Sequence, residues 1–137
     1  MKIWTLGAKV SDLDAEIAFV ERLGGELVLD DRIPFGGRDF RVPLLRLGDK
    51  YLHLAEEMVY EAALPEPLAD GLCHVVFEVD DVEAARAAAL AAGASEVTPR
   101  ARVTAGFGTR EVAFLRSPGG LLFELIEIVE NAVPELA

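Results

Sequence analysis

The stretch Gly71-Leu72-Cys73-His74-Val75-Val76-Phe77-Glu78-Val79-Asp80-Asp81-Val82-Glu83, which runs on through alanines to Gly93, decides the fold. Its first half alternates. Cys73, Val75, Phe77 and Val79 make one apolar face at a period of two, and Leu72, His74, Val76 and Glu78 take the other. The second half reads as a helix. Asp80 caps its N-terminus, Glu83 three residues on completes an acidic capping box, and Gly93 supplies a left-handed turn at its end. A strand that packs its apolar face on the following helix points His74 the other way, into the space enclosed by the far side of the sheet.

The same unit stands near the start of the chain. Val10 matches Val79 at an offset of 69 residues, so Ser11-Asp12-Leu13-Asp14 falls on Asp80-Asp81-Val82-Glu83 and Gly24 falls on Gly93. Trp4, Leu6, Ala8 and Val10 form the helix-facing side of this first strand, and Thr5 takes the place of His74. The ends of the halves match as well. Tyr51-Leu52-His53-Leu54 falls on Leu122-Phe123-Glu124-Leu125 at an offset of 71. The chain is a tandem repeat within a single domain over residues 1–137, with modules at 1–56 and 71–130. The linker at 57–70 carries Pro65 and Pro67, which favour an extended, stiff connector.

In order, the first module reads as a strand at 2–10, a helix at 12–23 and strands at 26–30, 39–47 and 51–56. Leu13, Ile17 and Val20 give the helix its core face. Pro34-Phe35-Gly36-Gly37 is a turn, and Pro43 demotes part of the third strand to an edge or a bulge. The second module repeats the order, with strands near 96–98, at 109–116 and at 121–129. Ala105-Gly106-Phe107-Gly108 is a loop, Ser117-Pro118-Gly119-Gly120 is the last hairpin turn, and the tail from 130 to 137 frays.

Composition narrows the function. Thirteen basic against 24 acidic residues give a formal net charge of −11, which argues against nucleic acid or an anionic membrane surface as partner. The single cysteine, Cys73, excludes an internal disulfide and fits a reducing, cytoplasmic setting. Its helix-facing parity reads as a buried, inert thiol. No apolar run reaches membrane-spanning length, and Met1-Lys2-Ile3-Trp4 begins a strand rather than a signal peptide.

Through Cys73-His74-Val75-Val76-Phe77-Glu78-Val79-Asp80-Asp81 and Ser117-Pro118-Gly119-Gly120-Leu121-Leu122-Phe123-Glu124-Leu125, the chain resembles the vicinal oxygen chelate superfamily. That group holds glyoxalase I, methylmalonyl-CoA epimerase, extradiol dioxygenases, fosfomycin-resistance thiol transferases and bleomycin-resistance proteins. Gly7-Ala8-Lys9-Val10-Ser11-Asp12-Leu13-Asp14 adds a fair match, and residues 30–47 a weak one. The resemblance implies an α+β fold in which two tandem βαβββ modules form a curved mixed sheet around a cleft. It also implies a divalent metal held by residues on the first and last strands of the modules.

Carried over, the ligand slots are Thr5, His53, His74 and Glu124. His74 and Glu124 match the usual residues; Thr5 and His53 depart from them. A threonine hydroxyl is a poor ligand, so the implied metal set is His53, His74 and Glu124, which suits Zn, Ni, Fe, Mn or Co. A strand histidine is ordinarily a satisfied core or surface residue. This chain has only two, however, and both fall in slots. The resemblance implies a metal-dependent enzyme of glyoxalase or dioxygenase type, acting on a small oxygenated substrate. Its chemistry would be that of an enediolate-type lyase or isomerase, or of an oxygenase, and in the former Glu124 is the catalytic proton shuttle. Thr5 and Arg110 are the expected substrate contacts, with Arg46 and Arg116 also near cleft strands, and a homodimer is the expected assembly. The alternative is a metal-free small-molecule (drug) binding protein of the bleomycin-resistance type, a direction in which Thr5 is a step.

Overall fold

A computed structural model describes residues 1–135. The first module holds β1 (Lys2–Lys9), α1 (Leu13–Arg22), β2 (Glu26–Leu29), β3 (Arg32–Phe35), β4 (Arg38–Arg41), β5 (Leu44–Leu47) and β6 (Lys50–Ala55). The second holds β7 (Gly71–Glu78), α2 (Val82–Ala91), β8 (Ser95–Ala105), β9 (Gly108–Arg116) and β10 (Leu122–Asn131). One eight-stranded mixed sheet runs β2-β5-β6-β1-β7-β10-β9-β8 across both modules. Strands β1 and β7 pair antiparallel at the centre, flanked by the parallel pairs β1–β6 and β7–β10. This is the α+β, curved-sheet architecture that the resemblance implied.

The repeat extends to the helix starts. Asp12 accepts from the Ala15 amide at 3.1 Å and Asp81 from the Ala84 amide at 3.0 Å, so each cap lies one residue later than Ser11 and Asp80. The first helical amides are then satisfied from the ends of the modules. Leu13 N–H donates to Glu56 and Val82 N–H donates to Glu127, two glutamates that share the 71-residue offset. Gly24 and Gly93 close the helices at φ of 99° and 105°.

Five expectations change. The third strand of the first module is split, and β3 and β4 form a separate hairpin. Pro43 has no N–H to continue the ladder, so β4 and β5 part company around it. In the second module the corresponding strands, β8 and β9, stay in one sheet. Trp4 is not helix-facing. A register shift between Ile3 and Thr5 turns it to the other side, where it meets Tyr51, His53 and Phe107 edge-on or tilted. A second shift beside Ala8 turns Cys73 toward the same core, half-buried, and burial raises its thiol pKa. The tail does not fray at 130. Val133 is buried and the Tyr51 hydroxyl donates to Pro134 O at 2.6 Å, while 136–137 lie outside the described residues.

The linker is the fifth. Residues 57–70 are not extended but fold through a short 3₁₀ turn at Glu61–Ala63, with Met58, Tyr60 and Glu61 buried. Glu61 organises it by accepting from the Met58 and Leu68 amides at 3.1 Å each and from Lys9 Nζ at 2.5 Å. Removing that carboxylate leaves one buried and one part-buried amide without partners. Glu61→Ala is therefore expected to lower the urea midpoint and to speed proteolytic cleavage within 57–70, as read by timed digestion and mass spectrometry.

Candidate functional site

Strand register brings the predicted residues into two neighbouring rows. Across β6, β1 and β7 the first row is His53, Gly7, His74. The second, two residues away, is Tyr51, Thr5, Val76 and then Glu124 on β10. His53, His74 and Glu124 all line one cavity of about 50 Å³ beneath the β3–β4 hairpin. Its roof includes Ile33 and Phe35, and Val103, Phe107, Val112 and Phe114 wall the side of the second module. The cavity is apolar apart from those three groups and Tyr60. A larger groove of about 410 Å³ opens near Lys2, Asp80 and Glu127, and holds none of the three.

Gly7 and Tyr60 escaped the sequence reading. A Cβ on Gly7 would lie 2.2 Å from His74 Cε1, so only glycine lets the imidazole lie flat against β1. A glycine inside a strand is a readable sign of such close approach. Tyr60, from the linker, places its hydroxyl 2.9 Å from His74 Nδ1 and its ring edge-on to the imidazole. No sequence signal marked it.

Two residues expected to touch substrate do not line the cavity. Thr5 is fully buried, and its hydroxyl donates to Leu6 O at 3.3 Å. Arg110, also fully buried, donates to Glu130 O at 2.6 Å and Asn131 Oδ1 at 2.9 Å. Its guanidinium lies over the rings of Trp4 and Phe107, 5.4 and 5.0 Å from their centroids.

The donors are neutral at neutral pH. Burial, with the neighbouring His74 and Arg110 adding to it, pulls the His53 pKa down to about 3. Burial alone lowers His74 to about 4. Burial pushes Glu124 up to about 8 against the pull of Arg110. The Glu124 carboxyl has no hydrogen bond among the described residues, its nearest charged-group contact being His74 Nε2 at 4.0 Å. His53 Nε2 is buried without a partner among the described residues. Two neutral imidazoles, one unpartnered, and an unpartnered carboxyl are a donor set that fits a divalent transition ion. Among the described residues, however, no three such groups stand close enough to form a ligand cluster as they are.

Two outcomes follow from this arrangement. Gly7→Ala should cost about 1–3 kcal/mol in chemical denaturation through overpacking against His74. The second concerns pH. The two histidines bind protons more weakly in the folded chain than at their ordinary value of 6.5, so stability rises with pH up to that value. Glu124 holds its proton more tightly folded than at its ordinary 4.5, so its contribution is lost as pH rises toward about 8. With chelator present, these groups place maximal stability near pH 6.5, followed by a fall of about 1.4 kcal/mol per pH unit. Glu124→Gln should remove the fall above 6.5, as measured by urea unfolding across pH 5–9 (roughly bracketing both transitions).

The family model described as Glyoxalase/Bleomycin resistance protein/Dioxygenase superfamily matches residues 3–125. No curated protein matches the sequence. Among solved structures, a serine-to-threonine variant of Streptomyces coelicolor methylmalonyl-CoA epimerase, in complex with 2-nitronate-propionyl-CoA, is 25% identical with a TM-score of 0.75. The match covers 98% of this chain and 99% of that one. Methylmalonyl-CoA epimerase from Mycobacterium tuberculosis is 21% identical with a TM-score of 0.68, over 93% of this chain and 88% of that one. The Mn(II)-bound glyoxalase from Novosphingobium aromaticivorans is 17% identical with a TM-score of 0.64, and the match covers 98% of this chain but 40% of that one. On the family model, which spans both modules and the cavity residues between them, the chain belongs to the glyoxalase/bleomycin resistance protein/dioxygenase superfamily.

Proposed function

We propose that the chain is a divalent-metal-dependent lyase or isomerase that moves a proton on a small substrate bearing neighbouring oxygens, with His53, His74 and Glu124 as the ion's ligands. The observation that carries this reading is the convergence of two imidazoles and a carboxyl on one cavity that is otherwise apolar but for Tyr60, with His53 Nε2 buried without a partner and Glu124 making no hydrogen bond among the described residues. Leaving such groups buried and unpaired costs about 1–3 kcal/mol each, and a ligand that satisfies them recovers it. A bound ion supplies polarisation of the substrate oxygens, which acidifies the carbon beside them.

The chain's own residues do the rest. Among the described residues Glu124 is the only carboxylate lining the cavity, and it is the group that takes and returns the proton. Ile33, Phe35, Phe107 and Phe114 exclude water and favour a substrate with a small apolar arm. Arg110 bears on the site through the Phe107 ring that it covers. Thr5 takes no part in ion binding. The epimerase and the Mn(II)-bound glyoxalase among the structural neighbours agree with this class of chemistry. We also propose a homodimer in the cytoplasm, on the resemblance and the lone cysteine.

A second reading, metal-free binding of a small molecule, is favoured by the three donors standing apart and by Thr5 in the first slot. Calorimetric titration with Zn(II), Ni(II) and Mn(II) separates the two. Saturable one-to-one binding is expected in the wild type and in Thr5→Ala, weakened at least about 100-fold in His53→Ala and His74→Ala. No saturable binding, or binding unchanged in both histidine variants, gives the metal-free reading.

A further inference from the structure

We propose that Tyr60 is a positioning residue that holds His74 in the tautomer protonated on Nε2, so that the ring's N–H is turned toward Glu124, 4.0 Å away and beyond hydrogen-bond distance, until an ion displaces that proton. The Tyr60 hydroxyl lies 2.9 Å from His74 Nδ1 and, among the described residues, has no other hydrogen-bond partner. Tyr60 is only 2% exposed, and a buried hydroxyl donates its proton where an acceptor exists. The acceptor here is the Nδ1 lone pair, which leaves the ring's proton on Nε2. That nitrogen lies 4.0 Å from Glu124 Oε2, across the wall of the cavity.

Turning the ring over would put Cδ2 in place of Nδ1 at the Tyr60 hydroxyl and forfeit that hydrogen bond, and the packing holds the ring's plane. Gly7 lies flat beneath it, with room for no Cβ, and Tyr60 and Phe114 both stand edge-on to it, at centroid distances of 5.2 and 6.0 Å. Tyr60 is itself fixed. Its ring packs on Phe114 at 4.7 Å, and the next residue, Glu61, ties the linker to Lys9 and to two amides. The sequence places Tyr60 in a connector, but the fold makes that connector part of the site.

The consequence for an ion is direct. Ligation through Nε2 needs that nitrogen's lone pair, so the proton must leave Nε2 and Nδ1 must carry one instead. Tyr60 then turns from donor to acceptor of the Nδ1 hydrogen, and its own buried proton loses its acceptor. The tyrosine therefore weakens ion binding while keeping His74 ready to donate toward Glu124 or a substrate oxygen. The tautomer itself stands apart from the metal reading; only the effect on ion affinity rests on it.

Long-range ¹H–¹⁵N correlation spectra of the chelator-treated protein read the tautomer. With only two histidines in the chain, His53 serves as an internal control in each spectrum. The wild type is expected to show His74 with Nε2 protonated. Tyr60→Phe, which keeps the ring packed on Phe114, is expected to shift His74 toward the other tautomer and leave His53 unchanged. It should also bind Zn(II) about 3- to 10-fold more tightly by removing the competing tautomer. Nδ1 protonation in the wild type, or an unchanged His74 in Tyr60→Phe, overturns the proposal, as does weaker Zn(II) binding in the variant. If neither protein binds Zn(II), the metal reading fails and the tautomer spectra alone decide the role of Tyr60. Should Tyr60→Phe not fold, the wild-type spectrum suffices.

Discussion

The antiparallel seam between β1 and β7 is the interaction on which the rest of the structure depends. It joins the two modules in one sheet, and the parallel pairs on either side bring the last strand of each module next to its first. Residues distant in the chain thereby share rows: His53 with His74 across Gly7, and Thr5 with Glu124 across Val76. A slip of one residue at the seam would turn every one of these side chains to the other face. The absent side chain of Gly7 is as much a part of the site as the imidazole that fills its place.

Around that seam the protein buries three ionisable groups and keeps them neutral. Such a site sits uneasily in a stable core. Desolvation dominates each shift, and the fixed charge of Arg110 only partly offsets it at Glu124. Arg110 itself is tied to the end of β10 and to two aromatic faces, so its charge is held in place rather than left to follow a ligand.

The roof of the cavity comes from asymmetry between the modules. In the second, β8 and β9 pair along their length; in the first, the chain breaks around Pro43 and the outer half becomes the β3–β4 hairpin. Ile33 and Phe35 then reach across, Phe35 edge-on to Phe114, while Asp31 accepts from the Gly106 amide of the other module's turn. Arg41 pins the hairpin's base to Asp14 and Asp30, and Arg38 ties its tip to Glu57 in the linker. A repeat supplies the cleft, and the departure from the repeat covers it.

The sequence by itself determined the repeat, the α+β class, the helices and the shared inward parity of His53, His74 and Glu124. Each of these rests on local periodicity or on matching one half against the other, and both survive without knowledge of contacts. Even the paired helix contacts of Glu56 and Glu127 were open to the same comparison. Tertiary structure alone decided where Trp4 and Cys73 point, because two register shifts overrule strict alternation. It alone split the third strand around Pro43, and it alone made the linker a support for Tyr60. Those outcomes depend on which surfaces meet across long sequence separations. A proline pair in a connector or an aromatic beside it carries the same local signal whether it ends in solvent or against a buried imidazole.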